Sequence, residues 1–203
     1  MQVQKKEMKQ ELLEAAKKEF LLRGFKAASM RTIARKANTT IGNIYNYFSS
    51  KEAIFNEVIG DLPKVLGHLL EEHSELTSKQ YDDLSLQEIN QLMDGKMSDL
   101  FLMDTLLSDE FIILMEGAQG TEFEAYREQF EDYCNRHMME HLPGERNRLL
   151  AKSMSHSFLT VLLYIAKNMK NLDEGKKELT RVIQILILGI LTMEQTRATP
   201  EDN

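Results

Sequence analysis

Apolar side chains recur at intervals of three and four along most of this chain, which is the period of helices with one buried face. Met30, Ile33, Ala34 and Ala37 form one such set, and Ile41, Ile44, Tyr45 and Phe48 form a second with the same spacing. Between them, Asn38-Thr39-Thr40 predicts a tight turn, because Asn tolerates the left-handed conformation that ends a helix and Thr40 suits the N-cap of the next. Two short helices joined in this way pack at a steep angle, as a helix-turn-helix does. Ser49-x-x-Glu52 then reads as a capping box opening a helix with Ile54, Phe55, Val58, Ile59 and Leu62 on one side, and Pro63 should kink that helix or start another. The polar stretch 77–83 predicts a loop. Two more capping boxes follow: Ser85-x-x-Glu88 ahead of Ile89, Leu92, Met93, Met97, Leu100 and Phe101, and Thr121-x-x-Glu124 ahead of Phe123, Tyr126 and Phe130, with a break at Gly117 to Gly120. The stretches 149–169 and 179–193 are the most apolar, separated by Leu172-Asp173-Glu174-Gly175. Three prolines, ten glycines and no alternating apolar run leave an all-α reading.

The polar positions of the second short helix narrow the chemistry. Gly42, Asn43 and Asn46 fall away from its apolar stripe, and the phenols of Tyr45 and Tyr47 reach outward from partly buried rings. Asn amides pair with adenine edges in the major groove, Gly admits close backbone approach and Tyr hydroxyls bond phosphate, so the pattern predicts a DNA reader. Lys51, in the first turn of the next helix, is placed to meet phosphate. The plainer alternative is an ordinary helix pair with a solvated polar face, which has no need of Asn and Tyr in this arrangement.

A net charge of -7 looks wrong for a polyanion binder until it is divided along the chain. Residues 1–59 hold 11 Lys and Arg against 6 Asp and Glu, and the remainder holds 14 against 26. Lys5, Lys6, Lys9, Lys17, Lys18, Arg23, Lys26, Arg31, Arg35, Lys36 and Lys51 therefore confine phosphate attraction to one end. The charged N-terminus, the lone cysteine and the want of an apolar run near the ~20 residues of a membrane span predict a cytoplasmic protein with no membrane segment.

Residues 10–59 resemble the DNA-binding domain of the tetracycline-repressor (TetR) family of bacterial transcription regulators. Leu12, Ala15, Ala16, Phe20, Arg23, Gly24 and Phe25 resemble the family's first helix and following turn, and Ser29, Ile33 and Ala34 its second helix. Gly42, Tyr45, Tyr47, Phe48, Lys51 and Phe55 continue the pattern in order. Asn38 stands where the family usually has a turn glycine, and Ile41 where it often has a basic or polar residue at the start of the recognition helix. The resemblance implies an N-terminal three-helix DNA-binding domain over residues 1–50, then a helical ligand-binding and dimerisation domain over 51–203. In that scheme 51–68 is the connecting helix, and the chain has about nine helices in all. It also implies a regulator, most simply a repressor, released from its operator by a small-molecule effector. The residues expected to meet DNA are Ser29, Arg31, Thr40, Ile41, Asn43, Tyr45, Asn46, Tyr47 and Lys51, with Asn43 contacting a base and Tyr45, Tyr47 and Lys51 positioning phosphate.

The resemblance places the effector in the middle of the chain, where Met93, Met97, Phe101, Phe111, Met115, Phe123, Tyr126, Phe130 and Phe158 are the candidate contacts. Nine of the twelve methionines lie between Met93 and Met193, and Met adapts to irregular apolar shapes, although Met and Phe at helical spacing are more often plain core. The final helix, with Val182, Ile183, Ile185, Leu186, Ile187, Leu188, Ile190 and Leu191, is apolar on more than one face. It must be covered on several sides, which predicts a homodimer through about 146–170 and 176–196 and, by symmetry, a roughly palindromic operator.

One alternative class is a metal sensor or helical enzyme. Cys134, His137 and His141 share a helix face at spacing i, i+3, i+7, and zinc there would need a fourth ligand such as His156. No histidine has Glu three residues before it, so the di-iron motif is missing, and no phosphate loop, dinucleotide fingerprint or nucleophile elbow is present. The expectation is a non-enzyme that needs neither metal nor cofactor.

Overall fold

The computed structural model describes residues 2–77, 101–142 and 144–198, and every regular element among them is helical. In chain order these are α1 (Gln2–Ala27), α2 (Met30–Lys36), α3 (Ile41–Ile44), α4 (Lys51–Ile59), α5 (Leu62–Thr77), α6 (Phe101–Leu106), α7 (Asp109–Glu116), α8 (Tyr126–His141), α9 (Arg148–Asn168) and α10 (Leu172–Ala198). A 3-10 turn, Glu145–Asn147, precedes α9. The chain divides into two compact units, one of Met1–Val65 with Ser108–Gln129, the other of Leu66–Leu107 with Phe130–Asn203. The expected loop at 77–83 (beyond Thr77, the last residue of α5) and the capping box at Ser85 lie outside the described residues.

In the first unit α1 packs against α2, α4 and α7. Leu12, Ala15, Ala16 and Phe20 of α1 are buried with Ile33 and Ala34 of α2, Ile54, Phe55 and Ile59 of α4, and Phe111 to Met115 of α7. Phe55 is the hub: its ring meets Phe20 edge-on at 5.1 Å and Phe25 edge-on at 5.3 Å. α1 is interrupted at Gly24, whose φ of 66° suits glycine, and the Cα of Gly24 lies close to Gly117 just past the end of α7. A Cβ on Gly117 would come within 3.3 Å of that atom, and the Phe25 N–H donates to the Gly117 carbonyl at 2.7 Å. The break expected at Gly117 is therefore a docking point as well as a helix end.

Two local expectations are corrected, and between them an open one is decided. The N-cap of α4 is Ser50, not Ser49: the Ser50 hydroxyl accepts the Ala53 N–H at 3.0 Å, in the register that buries Ile54, Phe55 and Ile59. α4 stops at Gly60 (φ 57°), and a separate α5 starts at Leu62 with Pro63 in its first turn, where a missing N–H costs nothing. Thr121 and Glu124 do not open a helix directly. The Glu124 carboxylate accepts from Gly120 and the Thr121 hydroxyl from Phe123, building a turn from which α8 starts at Tyr126.

In the second unit α9 packs on α10 and α10 on α6. Ala151, Ser155, Leu159, Leu162, Leu163 and Ala166 form the buried side of α9. Lys176 pairs with Asp104 at 2.6 Å, and the Tyr133 hydroxyl donates to the Leu70 carbonyl at 2.6 Å. Gly175, read as part of a break, lies inside the first turn of α10. A Cβ there would come within 3.2 Å of Leu107, so this glycine serves close approach rather than a turn. Against expectation, the stretch Glu145–Asn168 is long and apolar enough by length and composition to cross a membrane, a test that core helices of soluble proteins also pass.

Candidate nucleic-acid interface

The helix-turn-helix is held by caps read from its own sequence. Ser29 caps α2, its hydroxyl accepting the Thr32 N–H at 3.4 Å, and Thr40 caps α3, accepting the Asn43 N–H at 3.1 Å. Between them Asn38 has φ 49°, and α2 closes with Asn38 N–H to Arg35 O at 3.2 Å and Thr39 N–H to Ala34 O at 2.9 Å. That pair of bonds is the Schellman termination, with Asn38 in the left-handed position.

α3 has only four residues, after which the chain tightens: Asn46 N–H reaches Asn43 O at 3.1 Å and Tyr47 N–H reaches Ile44 O at 2.9 Å. A three-residue turn aligns 41, 44 and 47 instead of 41, 44 and 45. Ile44 and Phe48 are accordingly buried, Ile41 and Tyr47 half-buried, and Tyr45 is 55% exposed, so Tyr45 leaves the buried stripe to which its spacing assigned it. Asn46 and Thr40 are exposed and Asn43 half-buried. The Asn43 amide donates to the Thr39 hydroxyl at 2.8 Å and accepts from the Asn46 amide at 3.2 Å.

The basic residues sort into two groups. Lys9 pairs with Glu57, Lys17 with Glu110 at 3.1 Å, and Lys36 with Glu19 at 2.9 Å, while Arg23 lies 3.6 Å from Glu19. Lys51 departs most from its expected role. Its ammonium donates to the carbonyls of Phe25 at 2.6 Å and Ala28 at 3.1 Å, with Lys26 at 3.5 Å, so it closes the end of α1 instead of presenting a free charge. Arg31 and Arg35 are exposed on α2 and make no ion pair among the described residues.

Sequence reasoning passed over Glu19, a 1% exposed carboxylate facing α2. Burial alone would raise its pKa, but the Lys36 ammonium, the Ser29 N–H and the charge of Arg23 hold it below the usual carboxylate value. The signal was present: Glu19 sits three residues after Ala16 and four after Ala15, inside an apolar stripe. Thr39 was also passed over as a mere turn residue.

The description "bacterial regulatory proteins, tetR family" matches residues 12–58. Residues 12–58 are thus similar to the DNA-binding modules of the TetR family. Over 55 residues the chain is 49% identical to the uncharacterized HTH-type transcriptional regulator YdgC of Bacillus subtilis (strain 168), covering 27% of this chain and 28% of that protein. Over 64 residues it is 39% identical to YhgD, another uncharacterized HTH-type transcriptional regulator of that strain, covering 32% and 34%. The matches thus span about a third or less of either relative. Among solved structures, a TerR/AcrR-family transcriptional regulator from Aquifex aeolicus VF5 aligns over 88% of this chain and 99% of its own, with TM-score 0.50 and 20% identity. A TetR-like transcriptional regulator from Rhodococcus sp. RHA1 aligns over 85% and 91%, with TM-score 0.51 and 19% identity. These two likenesses speak to fold alone: an all-helical architecture shared with those two chains.

The candidate effector contacts do not fall in one place. Phe111 and Met115 are buried in α7 within the unit that contains the TetR-family module. In that unit too, the Phe123 ring lies 6.4 Å from Phe55, and the Tyr126 hydroxyl donates to the Pro63 carbonyl at 3.0 Å. Phe130, buried, and Phe158, half-buried, belong to the other unit. Met93 and Met97 lie outside the described residues, as does the side chain of Phe101.

Cys134, His137 and His141 share the α8 face as expected, but to a different end. The His137 ring stacks on Tyr133 and meets His141 edge-on at 4.9 Å, with Glu140 3.2 Å from its Nδ1. Burial, then the charge of Glu131, pushes the Cys134 thiol up to about 12, away from the thiolate that zinc requires. Among the described residues no three His, Cys, Asp or Glu side chains converge as metal ligands.

Proposed function

We propose that this chain is a ligand-responsive DNA-binding transcription regulator, most simply a repressor, which holds a palindromic operator as a homodimer in the cytoplasm. The observation that carries this reading is the polar edge of a matched TetR-family module: Thr40, Tyr45 and Asn46 exposed and Asn43 half-buried around α3, beside Arg31 of α2, which makes no ion pair among the described residues. In this reading the first DNA-reading domain comprises residues 1–50, with 51–68 leading into the remainder. Asn43 and Asn46 meet base edges, Ile41 a thymine methyl, and Ser29, Arg31, Thr40, Tyr45 and Tyr47 the backbone.

Pairing is supported by α9. At about 100° per residue, Leu149, Ser153, Ser157, Thr160, Val161 and Tyr164 lie within about 120° of one another, opposite the buried Ala151, Ser155, Leu159 and Leu162. Leu149 is 78% and Tyr164 70% exposed, and Ile185 on α10 is 69% exposed. The hydroxyls of Ser157 and Thr160 bond back to Ser153 and His156 carbonyls, so this stripe offers little polar demand to a partner. A second copy is the occupant we propose, and it accounts for the membrane-like apolarity of this helix. A small apolar effector is proposed to bind in the 66–203 part, near Phe130 and Phe158, and to favour a head spacing that does not fit DNA.

The test is selection by the full chain from random duplexes about 30 base pairs long, enough for two half-sites. The expected product is an inverted repeat. Light scattering should give twice the chain mass, falling to one on Tyr164→Asp. Enrichment of no sequence would overturn the reading, and a monomer that still selects an inverted repeat would overturn the proposed interface.

A further inference from the structure

We propose that Thr39 holds the Asn43 side chain in one place and is thereby a positioning, specificity-determining residue for DNA recognition; this rests on the α3 edge being the DNA-reading surface. A carboxamide has a donor end and an acceptor end of nearly the same size. Readout of adenine needs the oxygen on the N6 amine and the nitrogen on N7, and a flipped amide sets donor against donor. The base itself can select the end it needs, provided that the amide is first held within reach of it.

Here both ends have a partner, which keeps the group in one place. The Asn43 Nδ2 donates to Thr39 Oγ1 at 2.8 Å, and its Oδ1 accepts from Asn46 Nδ2 at 3.2 Å. An amide has two N–H groups and two lone pairs, so one of each remains, which is what a bidentate base contact uses. The anchor is itself rigid. Thr39 donates its N–H to Ala34 O at 2.9 Å as the second residue past the C-cap of α2, directly after the left-handed Asn38. That position in a Schellman termination commonly carries an apolar side chain packed back on the helix. A hydroxyl there gives up that contact, and the bond it makes instead runs to the side chain best placed to read a base.

Thr39→Val tests this, because Val has the same shape, lacks the hydroxyl and suits the apolar preference of the site. The full chain, its Thr39→Val, Thr39→Ser and Asn43→Ala forms and the Thr39→Val/Asn43→Ala double form are compared. Each is titrated with the duplex selected by the wild type, its single-base variants and a scrambled duplex, alongside thermal melting. Expected for Thr39→Val are an unchanged or higher Tm, unchanged affinity for the scrambled duplex, and a loss of about tenfold in preference at the base whose readout Asn43→Ala removes. Thr39→Ser should keep the preference, and Thr39→Val should add nothing once Asn43 is Ala. Full preference retained by Thr39→Val, or an equal loss persisting in the Asn43→Ala background, overturns the inference while leaving the regulator reading intact. A wild type that selects no sequence overturns both.

Discussion

The ammonium of Lys51 donates to the carbonyl of Phe25 at 2.6 Å and stands 4.4 Å from the centre of the same residue's ring. One side chain from the first turn of α4 thus closes the turn between α1 and α2. Lys51→Ala should lower unfolding stability by about 1–3 kcal/mol, since it removes charged hydrogen bonds at a partly buried place. Binding to every DNA sequence should weaken through the disturbed turn, while the slope of affinity against salt should stay nearly unchanged. A slope falling by a full unit would mean that Lys51 meets phosphate after all.

Arg31 offers the contrast. It is exposed near the start of α2 and has no ion pair among the described residues. Arg31→Ala should leave thermal stability within about 0.5 kcal/mol and flatten the salt slope by about one unit. Fluorescence anisotropy at several salt concentrations reads the difference from Lys51→Ala directly.

Glu19 joins the Ser29 N–H at 3.4 Å and the Lys36 ammonium at 2.9 Å from a site buried in α1. Its folded pKa lies below the ordinary 4.5. The stability it contributes is therefore present above that value and lost as pH falls below it, through the folded pKa. Glu19→Gln should cost about 1–3 kcal/mol at neutral pH and remove part of the acid sensitivity of unfolding. Equal acid sensitivity in both forms would assign that titration elsewhere.

His137 titrates in the opposite chemical sense with the same sign for stability. Burial first, then neighbouring His141, lowers its pKa below the ordinary 6.5, outweighing Glu140. The unfolded chain takes up the proton before the folded one does, so stability is full above 6.5 and declines as pH falls below it. Melting from about pH 8 to about pH 5.5 should show a steeper decline in the wild type than in His137→Gln. Parallel curves would count against a buried neutral imidazole.

The helix-turn-helix was legible because its determinants are local. Asn38 takes the left-handed turn, Thr40 caps α3, and Ile33, Ala34 and Ile44 bury the faces their spacing assigned. What escaped depended on register or on distant partners. Glu52 three residues on favours Ser49 over Ser50 in sequence, and the cap at Ser50 follows the register that buries Ile54, Phe55 and Ile59. Tyr45 leaves the apolar stripe because α3 ends after one turn. Gly175 reads as a break because the crowding by Leu107, 68 positions earlier, is invisible in a local window. Lys51 reads as a phosphate ligand because its carbonyl partners lie 23 to 26 residues away. The candidate effector contacts were least legible, since Met and Phe at helical spacing look alike in a core and in a pocket.

The contact between Gly24 and Gly117 has a consequence for the order in which this protein can be made. The unit that holds the helix-turn-helix is finished by residues 108–129, which leave the ribosome only after the whole of 66–107 has been synthesised. Until then Phe20, Phe55 and their neighbours lack the α7 surface that covers them. An N-terminal fragment ending at residue 65 should therefore be a poor stand-in for that unit, and a nascent chain should gain protease resistance there only as Gly117 emerges.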